Sequence, residues 1–120
     1  MYKRLSLFTL FLVLTEFVQA QPFVTITSPA NLQSSYSFTD SYTTDAWGAD
    51  LTTGWWTGET VVAYDGTVGD SLVCQSVVNT GDVNGKIALV YRGGCNFSVK
   101  AYNAQLAGAI ACVIINNEPG

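Results

Sequence analysis

The sequence predicts a mixed α/β domain, rich in β structure, whose best-defined part is a βαβ unit: strand 86–91, helix 98–107, strand 109–115. Three observations carry this. Two apolar runs of strand length, Lys86-Ile87-Ala88-Leu89-Val90-Tyr91 and Ala109-Ile110-Ala111-Cys112-Val113-Ile114-Ile115, bracket the unit. Between them Phe97, Ala101, Ala104 and Ala107 or Gly108 recur at steps of three and four, which is one face of a helix. Upstream, short β-branched pieces alternate with turn formers and show no helical period.

Taken in chain order, the first element is an export signal. Lys3 and Arg4 precede the apolar run Leu5–Leu14, and Val18-Gln19-Ala20 presents small residues at the two positions a signal peptidase reads. Residues 1–20 are therefore expected to be a signal peptide, cleaved after Ala20. The run falls short of the roughly 20 apolar residues needed for a membrane span, and no second candidate follows, so the mature chain is expected to be secreted and to have no span. Residues 21–120 form one domain on this reading.

From Gln21 to about Gly58, pieces such as Phe23-Val24-Thr25-Ile26 read as strands among loops, and Trp47, Trp55 and Trp56 read as packing residues in preference to a ligand platform. Glu59–Tyr64 is expected to be a strand closed by the turn Asp65-Gly66. Ser71–Val78 reads as a further strand, followed by a loop over 79–85. Arg92-Gly93-Gly94-Cys95-Asn96 is a tight turn, and Gly108 suits the position after the last helical turn.

Composition narrows the chemistry. The chain has 120 residues, 48% hydrophobic and 12% charged, so it holds enough apolar side chain for one packed domain. It contains no His, which removes the usual neutral-pH general base, and three Cys without CxxC spacing make a poor zinc site. No cofactor or metal is expected. A net charge of −4 argues against nucleic acid as a partner. Asp40, Asp45 and Asp50 sit in no aspartic-protease motif, and Ser98 and Lys100, two apart on a helix, do not share a face. Enzymatic activity within the chain is not expected.

Cys74, Cys95 and Cys112 are an odd set, and export favours pairing two of them. Cys112 lies in an apolar strand, whereas Cys74 and Cys95 lie near turns and are the better pair. Closing that loop contributes roughly 3 kcal/mol in the chain-entropy account.

The stretch Gly85-Lys86-Ile87 through Arg92-Gly93-Gly94-Cys95-Asn96-Phe97 and Lys100, then Ala107-Gly108-Ala109 and Val113-Ile114-Ile115-Asn116, closely resembles the protease-associated (PA) domain. The family's pattern is a GKI strand, an RGxCxF turn, a Lys three residues after the Phe, and an AGA turn into an apolar strand ending in Asn. The match covers residues 72–120, with weaker similarity upstream at Trp47-Gly48-Ala49-Asp50-Leu51. The resemblance implies a PA-type β/β/α fold and a non-catalytic module that binds a protein or peptide, or that accompanies an adjacent catalytic domain. It also implies the Cys74–Cys95 pairing.

Arg92, Gly93, Gly94, Phe97 and Lys100 are the motif residues that could form an interaction surface. Gly93 and Gly94 are expected to make the sharp turn, and Phe97 to anchor the helix in the core. Arg92 and Lys100 suggest an anion site at a helix start, although Arg92 tying loop carbonyls and Lys100 with a buried stem is the plainer reading. Family members continue past the Asn-rich turn into a further strand, so the chain is expected to be incomplete at its C-terminal end, with an alternative identity as a fragment of a secreted peptidase whose catalytic domain lies downstream of residue 120. Asn96-Phe97-Ser98 is also a glycosylation sequon.

Overall fold

The computed structural model describes residues 23–38, 47–51 and 54–119. The expected signal peptide, Asp40 and Asp45 lie outside the described residues. The chain divides into two compact units, one up to Thr39 and one from Asp40 onward.

In the first unit, β1 (Phe23–Ile26) pairs antiparallel with β2 (Ser34–Ser37), in a register that sets Phe23 opposite Ser37 and Ile26 opposite Ser34. The Thr25 and Ser35 hydroxyls meet across the pair at 3.1 Å. A 3₁₀ turn over Ala30–Leu32 makes the connection, and the Gln33 amide donates back to the Thr27 carbonyl at 2.7 Å.

The second unit is a three-stranded parallel sheet in the order β3 (Thr60–Val62), β4 (Ile87–Tyr91), β5 (Ala111–Ile115). Between β3 and β4 lies a short helix, α1 (Thr80–Val83); between β4 and β5 lies α2 (Phe97–Leu106). The βαβ unit expected from the periodicity is present, and its strands are parallel. In register, Val61, Ala88 and Cys112 lie side by side, as do Val90 and Ile114. This is the face that carries the core, in which Ala63, Val73, Val77, Val83, Ala88, Val90, Ala104 and Ala107 are buried. Ala104 and Ala107 are the helix's contribution, and small side chains let a helix lie close to a sheet.

Gly108 ends the helix with φ +87°, a left-handed conformation that glycine adopts freely. A Cβ there would also stand 2.2 Å from the Asn84 Oδ1. Two backbone bonds lock the junction: the Gly85 amide to the Gly108 carbonyl and the Ile110 amide to the Lys86 carbonyl, both 2.9 Å.

Two expectations are corrected. The loop over 79–85 contains α1, whose Asn84 amide closes onto the Thr80 carbonyl at 2.9 Å and whose Val83 is buried. The strand over 71–78 does not form: Asp70–Leu72 is a 3₁₀ turn, and Val73 follows in the left-handed region at φ 54°. The reason lies in the hydrogen bonds. Side chains from elsewhere take the backbone groups of this segment, so it needs no neighbouring strand.

Candidate functional site

The motif residues meet at the segment 65–75, the turn 92–97 and the first turns of α2. The segment is organised by Asp65, at the end of the β3 run and almost fully buried. Its Oδ1 accepts the Thr67 amide at 3.1 Å and hydroxyl at 2.7 Å, and its Oδ2 accepts the amides of Cys74 at 2.7 Å and Gln75 at 3.1 Å. Asp70 closes the loop from the other side, its carboxylate accepting the Gly66 amide and its carbonyl the Asp65 amide. Burial pushes the Asp65 pKa up, but the donors from Thr67, Gln75 and Cys74 outweigh it and hold the carboxyl below its ordinary value.

From the helix, Lys100 enters the same segment. It is fully buried, and its ammonium donates to the Leu72 carbonyl and faces the Cys74 Sγ at 3.7 Å. Asn103, three residues on and on the same face, donates to the Val73 carbonyl at 3.1 Å. These two bonds hold the peptide on either side of the left-handed Val73. Burial lowers the Lys100 pKa, while Asp65 and Cys112 act to raise it.

Cys74 and Cys95 form the disulfide, with a Cα–Cα distance of 5.7 Å. Cys112 is free and half-buried on β5, and burial raises its thiol pKa to about 11, partly opposed by Lys100. Gly93 and Gly94 take φ +114° and +76°, the sharp turn expected of them. A Cβ on Gly94 would lie 3.0 Å from the Cys74 Sγ and 3.1 Å from a Leu72 methyl, so the turn rests directly on the bridge.

Arg92 and Phe97 are placed differently from expectation. Phe97 is 41% exposed and does not anchor the core. The buried residues of α2 are Lys100 and Ala104, with Ala107 just past its last turn, and Phe97, three residues before Lys100 at the first position of the helix, stays outside the core. The Phe97 ring instead carries the Arg92 guanidinium, 5.9 Å from its centroid. Arg92 also donates to the Asn116 side chain at 3.4 Å, not to loop carbonyls. The two basic residues therefore do not converge on one anion: Arg92 is at the surface and Lys100 is inside. Asn96 caps α2 without a side-chain bond and is exposed. Trp55 is 91% exposed and so is no packing residue, while Trp56 folds over Gly54.

Sequence reasoning took Asp65 as a turn signal and did not single out Asn103. The available signal for Asn103 was its spacing of three from Lys100 on one helix face. Among the described residues, no cluster of three or more His, Cys, Asp or Glu could hold a metal ion, and no helix is long and apolar enough to cross a membrane.

The family described as "PA domain" matches residues 56–120. A PRADC1-like protein of Drosophila melanogaster is 44% identical over 46 residues, 38% of this chain and 24% of that protein. The human ER degradation-enhancing alpha-mannosidase-like protein 3 is 47% identical over 47 residues, 39% of this chain and 5% of that protein. A PII-type proteinase of Lacticaseibacillus paracasei is 51% identical over 39 residues, 32% of this chain and 2% of that protein. The chain thus spans about a quarter or less of these curated relatives. No solved structure matches it at a significant level.

Proposed function

The chain belongs to the PA domain family, and from that premise we propose that it is an exported, non-catalytic module that binds a protein or peptide, or that accompanies a catalytic domain carried on the same polypeptide. The observation that carries this reading is the Arg92–Phe97 pair. A guanidinium stacked on an exposed ring, on a turn anchored by a disulfide, offers a planar donor fork for a carboxylate beside an apolar surface. Interfaces are enriched in Arg and aromatic residues for these reasons. The ionisable groups of the same region are used internally: Asp65 by backbone amides and Lys100 by a carbonyl.

The oxidised Cys74–Cys95 pair supports a lumenal or extracellular location, in line with the signal-peptide pattern of residues 1–20. The small share of the PII-type proteinase that the chain matches favours the reading in which a catalytic domain lies elsewhere in the protein. Fluorescence anisotropy against extended peptides bearing a carboxylate provides the test. Saturable binding that weakens about tenfold in Arg92→Ala, at an unchanged melting temperature, is the expected result; hydrolysis of casein or peptide esters by the purified chain, or binding indifferent to Arg92, overturns it.

A further inference from the structure

We propose that the Cys74–Cys95 bridge is a thiol-responsive site, opened by attack of an external thiol on Cys95, with Cys74 departing as a thiolate paired to the buried Lys100 ammonium. The bridge does not need the ammonium in order to exist. A disulfide sulfur is a weak acceptor, yet the fully buried Lys100 places its charge 3.7 Å from the Cys74 Sγ. Opening the bridge converts that sulfur from a neutral atom into an anion, and the contact becomes an ion pair. A lysine beside a cysteine is a recognised way of lowering a thiol pKa, and a lower pKa makes a faster leaving group.

The two sulfurs are unequal in a direction that can be read. Both half-cystines are partly buried, and Cys95 has exposed neighbours in Gly94 and Asn96, but the Lys100 ammonium lies against Cys74. Attack at Cys95 and departure at Cys74 therefore place the developing charge on the side of the ammonium, whereas attack at Cys74 would place it on Cys95, away from that contact. The incoming thiolate forms a bond to the Cys95 sulfur, the S–S bond breaks, and its electron pair leaves on Cys74. No proton is taken up in this step, and the products are a mixed disulfide on Cys95 and the Cys74 thiolate.

Two other ionisable groups interact with the Lys100 ammonium. Asp65, from the segment after β3, is committed through its carboxylate to the Thr67, Cys74 and Gln75 donors. Cys112, from β5, is held protonated by burial. Burial lowers the Lys100 pKa, the Asp65 charge opposes this, and a Cys74 thiolate would oppose it further.

The experiment treats the oxidised full chain with reduced glutathione, quenches early with an alkylating agent and maps the products by mass spectrometry. Glutathione on Cys95 with the alkyl group on Cys74 is expected; glutathione on Cys74, an equal division between the two, or no mixed disulfide without denaturant overturns the proposal. In the fully reduced chain, alkylation of Cys74 as a function of pH should show a midpoint at least one unit below the ordinary value of about 8.5. Lys100→Met should move that midpoint up by a unit or more and leave Cys95 unmoved. An unchanged midpoint overturns the role of Lys100, and if that variant does not fold, the position of glutathione on the parent chain still decides.

Discussion

The carboxylate of Asp65 accepts the backbone amide of Cys74 at 2.7 Å, so the half-cystine is positioned by a residue nine places upstream as well as by its bridge. The same oxygen holds the Gln75 amide, and the other oxygen holds Thr67 twice. One buried acid thus sets the path of the whole segment.

Asp65→Asn is expected to lower stability by roughly 3 kcal/mol, since hydrogen bonds to a charged acceptor contribute about 1.5–3 kcal/mol each and the amide cannot accept on both sides. The pH dependence follows from the lowered pKa. A carboxyl whose folded value lies below its unfolded value of about 3.9 stabilises fully above the unfolded value, and the contribution is lost as the pH falls through the folded one. Urea melts across the acid range should show this decline in the parent and a flatter curve in Asp65→Asn.

Gly108→Ala and Gly81→Ala should differ in sign. At 108 the left-handed φ and the Asn84 side chain both oppose a Cβ, and a loss of about 1–2 kcal/mol from the backbone alone is expected. At 81, within α1, nothing lies within 4 Å of the added methyl, and a gain of about 0.4–1 kcal/mol is expected from the restricted unfolded chain. Equal melting temperatures for the two variants would contradict the geometry of the α2 to β5 junction.

Phe97→Ala should cost roughly 1–2 kcal/mol, less than the 3–5 kcal/mol of a fully buried ring. The ring is partly in water and its partner is the Arg92 guanidinium. Arg92→Ala should melt within about 1 kcal/mol of the parent, the worth of an exposed cation–π contact. Thermal denaturation of both variants checks the pair.

Cys112 should resist iodoacetamide at pH 8 in the folded chain. Its thiol pKa of about 11 leaves very little thiolate at that pH, whereas the unfolded chain should alkylate readily. Rapid native labelling of Cys112 would place it in a more open environment than β5 provides.

The βαβ unit was legible because its information is local: runs of β-branched residues, a three-to-four step of alanines and a glycine stop lie within thirty residues. The segment 71–78 was misread for the opposite reason. Val73, Val77 and Val78 look like strand residues, but the carbonyls of Leu72 and Val73 are taken by Lys100 and Asn103, 28 and 30 residues away. Short polar side chains such as Asp65 and Asn79 carry no period that would reveal them. Asn79 accepts the Tyr64 amide and donates to the Val62 carbonyl, replacing a neighbouring strand beside β3 with one side chain. Phe97 was misplaced because a step of three and four does not show where along the helix the core stops, and the ring stands at the first position of α2, beside Arg92.

The position of β4 at the centre of the sheet also governs how the second unit assembles. Thr60 must find Ile87 and Ile87 must find Ala111, so each ladder closes a loop of about 25 residues before any parallel pairing rewards it. The β1–β2 hairpin closes over far fewer residues. The hairpin is therefore expected to zip on the microsecond scale, while the sheet waits on the slower search imposed by its higher contact order.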